Sequence, residues 1–122
     1  MMDKWQSLHA FWSGFGIPAY DENSVPQDAQ MPYITYNAST AAIGGLVFLS
    51  ASLWYMSFSW ENISKKASEI EDYIVNMHPP AIEIDEGRVY ITRSFPFAQR
   101  MSDEDDRVRR ILLNINVEFL TN

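Results

Sequence analysis

Two histidines, a run of four acids and a pair of glycines are the places where this chain could do chemistry. His9 stands among Trp5, Leu8 and Trp12, and His78 directly precedes Pro79-Pro80. An imidazole serves as a general base only when a second group orients it, and neither histidine has such a partner marked in its local sequence. Asp103-Glu104-Asp105-Asp106 offers oxygen ligands, but it lacks the alternating positions and central glycine of a calcium loop. Gly14-Phe15-Gly16 lacks the third glycine of a phosphate-binding turn and does not follow a strand pattern. With no cysteine, thiolate metal sites and disulfides are both excluded. The expectation is a protein that is not an enzyme, with no catalytic, cofactor-binding or metal-binding residue.

The acids have a different use. Arg100, Arg107, Arg109 and Arg110 flank them, so the segment from Asp103 to Arg110 is either a solvated, self-neutralised loop or a charge bridge between identical subunits. The chain holds four Trp, six Tyr and seven Phe, which can serve core and interface alike. As contact residues the sequence nominates Tyr20, Trp54 and Phe97 as aromatic anchors, and Asp103, Glu104, Asp105, Asp106, Arg107, Arg109 and Arg110 as the charge bridge.

The elements that must position these residues are marked by periodicity. Trp5, Leu8, Trp12 and Phe15 recur at helical spacing, with Asp3 and Gln6 as a capping box and Gly14, Gly16 and Pro18 as the stop. The aperiodic stretch from Asp21 to Pro32 predicts a long loop, and Tyr33-Ile34-Thr35-Tyr36 a strand. Gly44-Gly45 predicts a turn before a second strand over 46–57, with Val47, Leu49, Ala51, Leu53 and Tyr55 on one face. Its other face carries Phe48, Ser50, Ser52, Trp54 and Met56.

Trp60, Ile63, Ala67, Ile70, Ile74 and Met77 mark the second helix, capped by Ser59, ended by Pro79-Pro80, and solvated along Lys65, Lys66, Glu69, Glu71 and Asp72. A hairpin follows around Glu86-Gly87, then a loop through Phe95-Pro96-Phe97 and the acids. The last strand alternates Ile111, Leu113, Ile115, Val117 and Phe119 with Arg110, Leu112, Asn114, Asn116 and Glu118. The predicted fold is one α+β domain over 1–122, in the order α-β-β-α-β-β-β. A mostly antiparallel sheet of about five strands carries both helices on one face.

Length and charge narrow the function. At 122 residues the chain fits one domain, and its 47% hydrophobic content is that of a globular protein. A net charge of −7 disfavours nucleic-acid binding. The uncharged stretch from Ala41 to Trp60 approaches a membrane span in length, yet its serines, glycines and alternation argue against one. The N-terminus shows no secretory pattern, so an intracellular origin is expected and the triplets at Asn37 and Asn62 are not glycosylation sites.

From Ile17 to Pro26, and again over Met31-Pro32-Tyr33-Ile34-Thr35-Tyr36, the sequence resembles the tail-terminator (tail-completion) proteins of long-tailed bacteriophages and prophages. The helix after Ser59 and the closing Arg109-Arg110-Ile111-Leu112-Leu113-Asn114-Ile115 strand extend the resemblance over most of the chain. It implies a homo-oligomer, a hexameric ring that caps the tail tube protein, stops its polymerisation and presents a surface to the head-tail connector protein. It also implies a virion component at the head-tail junction, assembled in the bacterial cytoplasm. Another head-tail junction component fits the same motifs, and a monomeric ligand-binding or regulatory α+β domain is the alternative of a different class.

Overall fold

A computed structural model of the chain describes residues 3–38 and 45–121. Helix α1 spans Lys4–Ser13, and strands β1 (Ala19–Asp21), β2 (Tyr33–Tyr36) and β3 (Leu46–Met56) follow. Helix α2 (Glu61–Asn76) then leads to β4 (Ala81–Ile84), β5 (Gly87–Met101) and β6 (Val108–Thr121). The fold is α+β, with a single six-stranded sheet in the order β1-β2-β3-β6-β5-β4. All neighbours are antiparallel except β1 and β2.

The sixth strand, β1, lies where a loop start is expected. Three residues are too few to show a period, and β1 pairs in parallel with β2, which returns through a long connection rather than a hairpin. Gly44 falls outside the described residues, so the expected turn there is not described.

β5 is the second departure, because Phe95-Pro96-Phe97 lies within the strand rather than in a loop. A proline ordinarily ends a ladder, but this one sits in a bulge. Arg93 pairs with Ile115 and Ala98 with Leu113, so Ser94 to Phe97 stand opposite the single Asn114. The Asn114 amide donates to the Pro96 carbonyl at 3.0 Å and to Gln99 Oε1 at 3.2 Å, occupying an acceptor that the bulge frees.

One side of the sheet is covered. Leu49, Ala51 and Leu53 of β3 and Ile111, Leu113, Ile115, Val117 and Phe119 of β6 are buried beneath the helices, as their alternation requires. α2 contributes Ile63, Ala67, Ile70 and Ile74 to this core. Its N-cap is Trp60 rather than the expected Ser59, although Ser59 Oγ accepts from the Glu61 N–H at 3.0 Å. α1 starts at the expected capping box, with reciprocal bonds of 2.8 and 3.0 Å between Asp3 and Gln6.

The buried residues of α1 are Ser7, Leu8, Phe11 and Trp12, continued by Phe15 just beyond the helix, whereas Trp5 is 53% exposed. The helix crosses the strands, with Lys4 over the Phe119 ring at one end and His9 bonded to Tyr36 nearer the other. After it, Gly16 adopts φ 84°, open to glycine, and turns the chain into β1. Lys66 is not simply solvated, since its Nζ donates to the Phe15 carbonyl at 2.7 Å and ties α2 to the turn that follows α1. Among the described residues no helix is long and apolar enough to cross a membrane, and the uncharged 46–56 stretch is a strand.

Candidate assembly surface

Among the described residues, no layer covers the other side of the sheet. Directly paired residues of neighbouring strands point to the same side, so the register places Tyr20, Tyr33, Thr35, Ser52, Trp54 and Arg110 together at one end of this face. The Tyr20 and Tyr33 rings meet edge to face at 5.8 Å. Trp54 Nε1 donates to Thr35 Oγ1 at 2.9 Å, and the Arg110 guanidinium lies 4.8 Å from the Trp54 ring centroid while its Nε donates to Ser52 Oγ at 3.0 Å. Aromatics and one cation thus form a cross-strand row from β1 to β6.

At the opposite end the same face is apolar and exposed. Phe48 is 72% exposed and Leu46 57%, with Leu120 beside them. A cleft of about 240 Å³ is lined there by Leu46, Tyr90, Thr92, Asn116, Glu118 and Leu120. Asn116 Nδ2 donates to the Arg93 carbonyl at 3.2 Å, and its Oδ1 has no partner among the described residues.

Each nominated contact residue now has a place. Tyr20 and Trp54 share the open face. Phe97 does not reach the surface, because it is 5% exposed and belongs to the core cluster, so it cannot anchor a neighbour in the folded chain. The exposed ring of that segment is Phe95, at 76%, with the Arg93 guanidinium 5.0 Å from its centroid. Sequence alone offers no means of choosing between two phenylalanines around one proline; the bulge decides it.

The charge segment is largely engaged within its own subunit. Arg107 pairs with Asp105 at 2.9 Å. Arg109 donates to the carbonyls of Asp106, Val108 and Phe58, and with Arg100 it flanks the Trp60 ring at 5.4 and 4.7 Å. Asp103 accepts from the Asp105 N–H, while the Glu104 and Asp106 carboxylates have no partner among the described residues. Arg110 points away from this loop onto Trp54.

Hydrogen bonds from the Arg107 side chain and backbone hold the Asp105 carboxyl at about 2, below its ordinary 3.8. A depressed carboxylate stabilises the folded loop fully above its unfolded value and loses that contribution as pH falls through about 2. The Asp105 carboxyl is therefore expected to titrate near 2 by NMR, and Arg107→Ala to return it toward 3.8. A midpoint near 3.8 in the unaltered protein would remove the pairing.

His9 has partners that its neighbours in sequence do not reveal. Its Nδ1 lies 2.9 Å from the Tyr36 hydroxyl and its Nε2 3.3 Å from Ser13 Oγ. The arrangement has the outline of a nucleophile, base and orienter, but the orienter is a phenol. Burial first, and Asp21 second, raise Tyr36 above its ordinary value, so it stays neutral near pH 7 and supplies no charge to stabilise an imidazolium. The His9–Tyr36 contact fastens α1 to β2. No group of three or more metal-ligating side chains occurs among the described residues.

Other concavities lie between α1 and the β4–β5 turn, and between α2 and β5. Another, of about 530 Å³, is walled by Ser64, Lys65, Ser68, Glu69 and Asp72 on the outer side of α2.

No family model matches this chain, and no curated protein does. Among solved structures it is similar to a chain of one described as "Virion of native gene transfer agent (GTA) particle". The TM-score is 0.59, covering 93% of this chain and 89% of that one, at 16% sequence identity. Across so low an identity the likeness is one of fold.

Proposed function

We propose that this chain is a structural protein of a phage-like virion, and within it a tail terminator. Copies join in a hexameric ring that caps the tail tube, stops its growth and offers the head-tail connector a docking surface. The observation that carries this is the fold shared along 93% of the chain with a component of a gene transfer agent virion. A bare sheet face with aromatics at both ends supports it, since such a surface is built for contact with protein. The activity is assembly rather than catalysis, and the −7 charge suits a channel wall that DNA must pass without sticking.

Adding the purified chain to polymerising tail tube protein tests it. Capped tubes of limited length, with density at one end in negative-stain images, are the expected result. Tubes that lengthen unchecked, with no bound chain, would refute the terminator role. Co-purification with the portal and connector rather than the tube would assign it to another component of the junction.

A further inference from the structure

The geometry points to a second copy of this chain as the occupant of the open sheet face in the free protein, held face to face about a two-fold axis perpendicular to the strands near Ser50 and Asn114. This goes beyond the ring, because it concerns the protein before it meets a tail.

Three features single out this partner. The first is charge. With −7 per copy, two copies repel unless they meet where acids are absent. On the open face β1, β2 and β3 contribute no charged side chain, β5 and β6 contribute Arg88, Arg110 and Glu118, and β4 adds Glu83 at the far edge. Arg88 is already paired with Glu83 at 2.8 Å. The sheet edges are the poorer route: Asp21 closes β1 with Glu22 after it, and Asp85-Glu86 follow β4, so edges brought together set acid against acid.

The second is the order of side chains. Along β6 the open face reads Arg110, Leu112, Asn114, Asn116, Glu118, and along β3 it reads Leu46, Phe48, Ser50, Ser52, Trp54, Met56. Each series has polar residues at its middle and complementary residues at its ends. A two-fold across the strands keeps β3 over β3 and β6 over β6 but reverses their direction. The Arg110 end of one copy then lies over the Glu118 end of the other, Trp54 lies over Leu46, and Phe48 lies over Ser52 beside that Trp54 ring. The same operation repeats every contact, so a single pair of matched ends supplies two charge pairs and two apolar clusters.

The third is area. At ~3.4 Å per residue and ~4.8 Å between strands, β2, β3, β6 and β5 present a face on the order of 700 Å². That is close to the ~800 Å² each partner gives to a stable interface. Phe48 at 72% and Met56 at 54% exposure are covered by it. The pairing is closed, so it hides the face without polymerising, and it competes with any ring that uses the same face.

Sedimentation equilibrium of the full chain, with three variants, tests this. The protein is expected at twice its 14.1 kDa mass. Phe48→Glu, at an exposed position that leaves the fold intact, should raise the dimer Kd at least about 30-fold. Glu118→Arg sets Arg against Arg and should weaken the dimer about tenfold or more, and the double variant Arg110→Glu/Glu118→Arg should recover most of that loss. A monomer at ~1 mM, a hexamer unaffected by Phe48→Glu, or a double variant weaker than Glu118→Arg alone with its melting temperature preserved would each overturn the pairing. Tube capping is read by its own assay, so the pairing and the terminator role fail separately.

Discussion

Trp12→Ala is expected to lower stability by about 3–5 kcal/mol and the melting temperature by roughly 12–20 °C, as read by thermal unfolding. Trp12 is fully buried and the largest side chain in the core. Its ring packs edge-on against Phe11 at 4.9 Å and lies 6.5 Å from Phe15, so truncation removes the centre of an aromatic cluster that joins α1 to α2 through Tyr73. Trp12→Phe is expected to behave differently. The indole N–H is buried without a hydrogen-bond partner among the described residues, at a cost of about 1–3 kcal/mol. Removing that donor offsets part of the lost area, so the Phe variant should stay within about 1 kcal/mol of the original. Equal losses for the two variants would show that the N–H is satisfied in solution.

Ile70→Asp should have the larger effect, and one that reverses with pH. Ile70 is fully buried at the middle of α2, and an unpaired carboxylate there costs several kcal/mol. A protein of this length has about 6–18 kcal/mol in all. Burial raises the folded-state pKa of the new Asp above its unfolded value of about 3.9. The folded state then holds the proton more tightly, so the variant loses about 1.4 kcal/mol per pH unit between those two values. Relative to the unaltered protein, its deficit should be smallest below pH ~4 and greatest near neutrality, measured by circular dichroism of α2 across pH. A cooperative melt at pH 7 within a few degrees of the original would contradict the placement of Ile70.

The elements that were legible share one property, a long run with one buried face. β6 alternates over ten residues and α2 holds its apolar stripe over four turns, and both lie as their patterns require. β1 was not legible, because a three-residue strand has no period and its partner is set by a parallel contact across the chain. β5 was hidden by Pro96, whose presence in a strand depends on a bulge that only the pairing with Asn114 reveals. The same limit governed the contact residues. Trp54 could be placed on the open side by counting in twos, whereas Tyr20 lies on the three-residue β1 and Phe97 within the bulge, where counting fails.

Charges were the least legible. The bond from Arg109 to Phe58 spans 51 positions and that from Lys66 to Phe15 another 51, so each cation's partner depends on the finished fold. His9 and Tyr36, 27 positions apart, are a further instance.

The sheet order has a consequence for how the molecule is made. β6 lies between β3 and β5, joining the half that holds β1 and β2 to the half that holds β4. A nascent chain leaving the ribosome therefore carries two strand sets that cannot become one sheet until residues 108–121 emerge. Until then the facing borders of β3 and β5 are both unsheathed, and a translation product halted before Val108 would offer them to chaperones and proteases instead of folding.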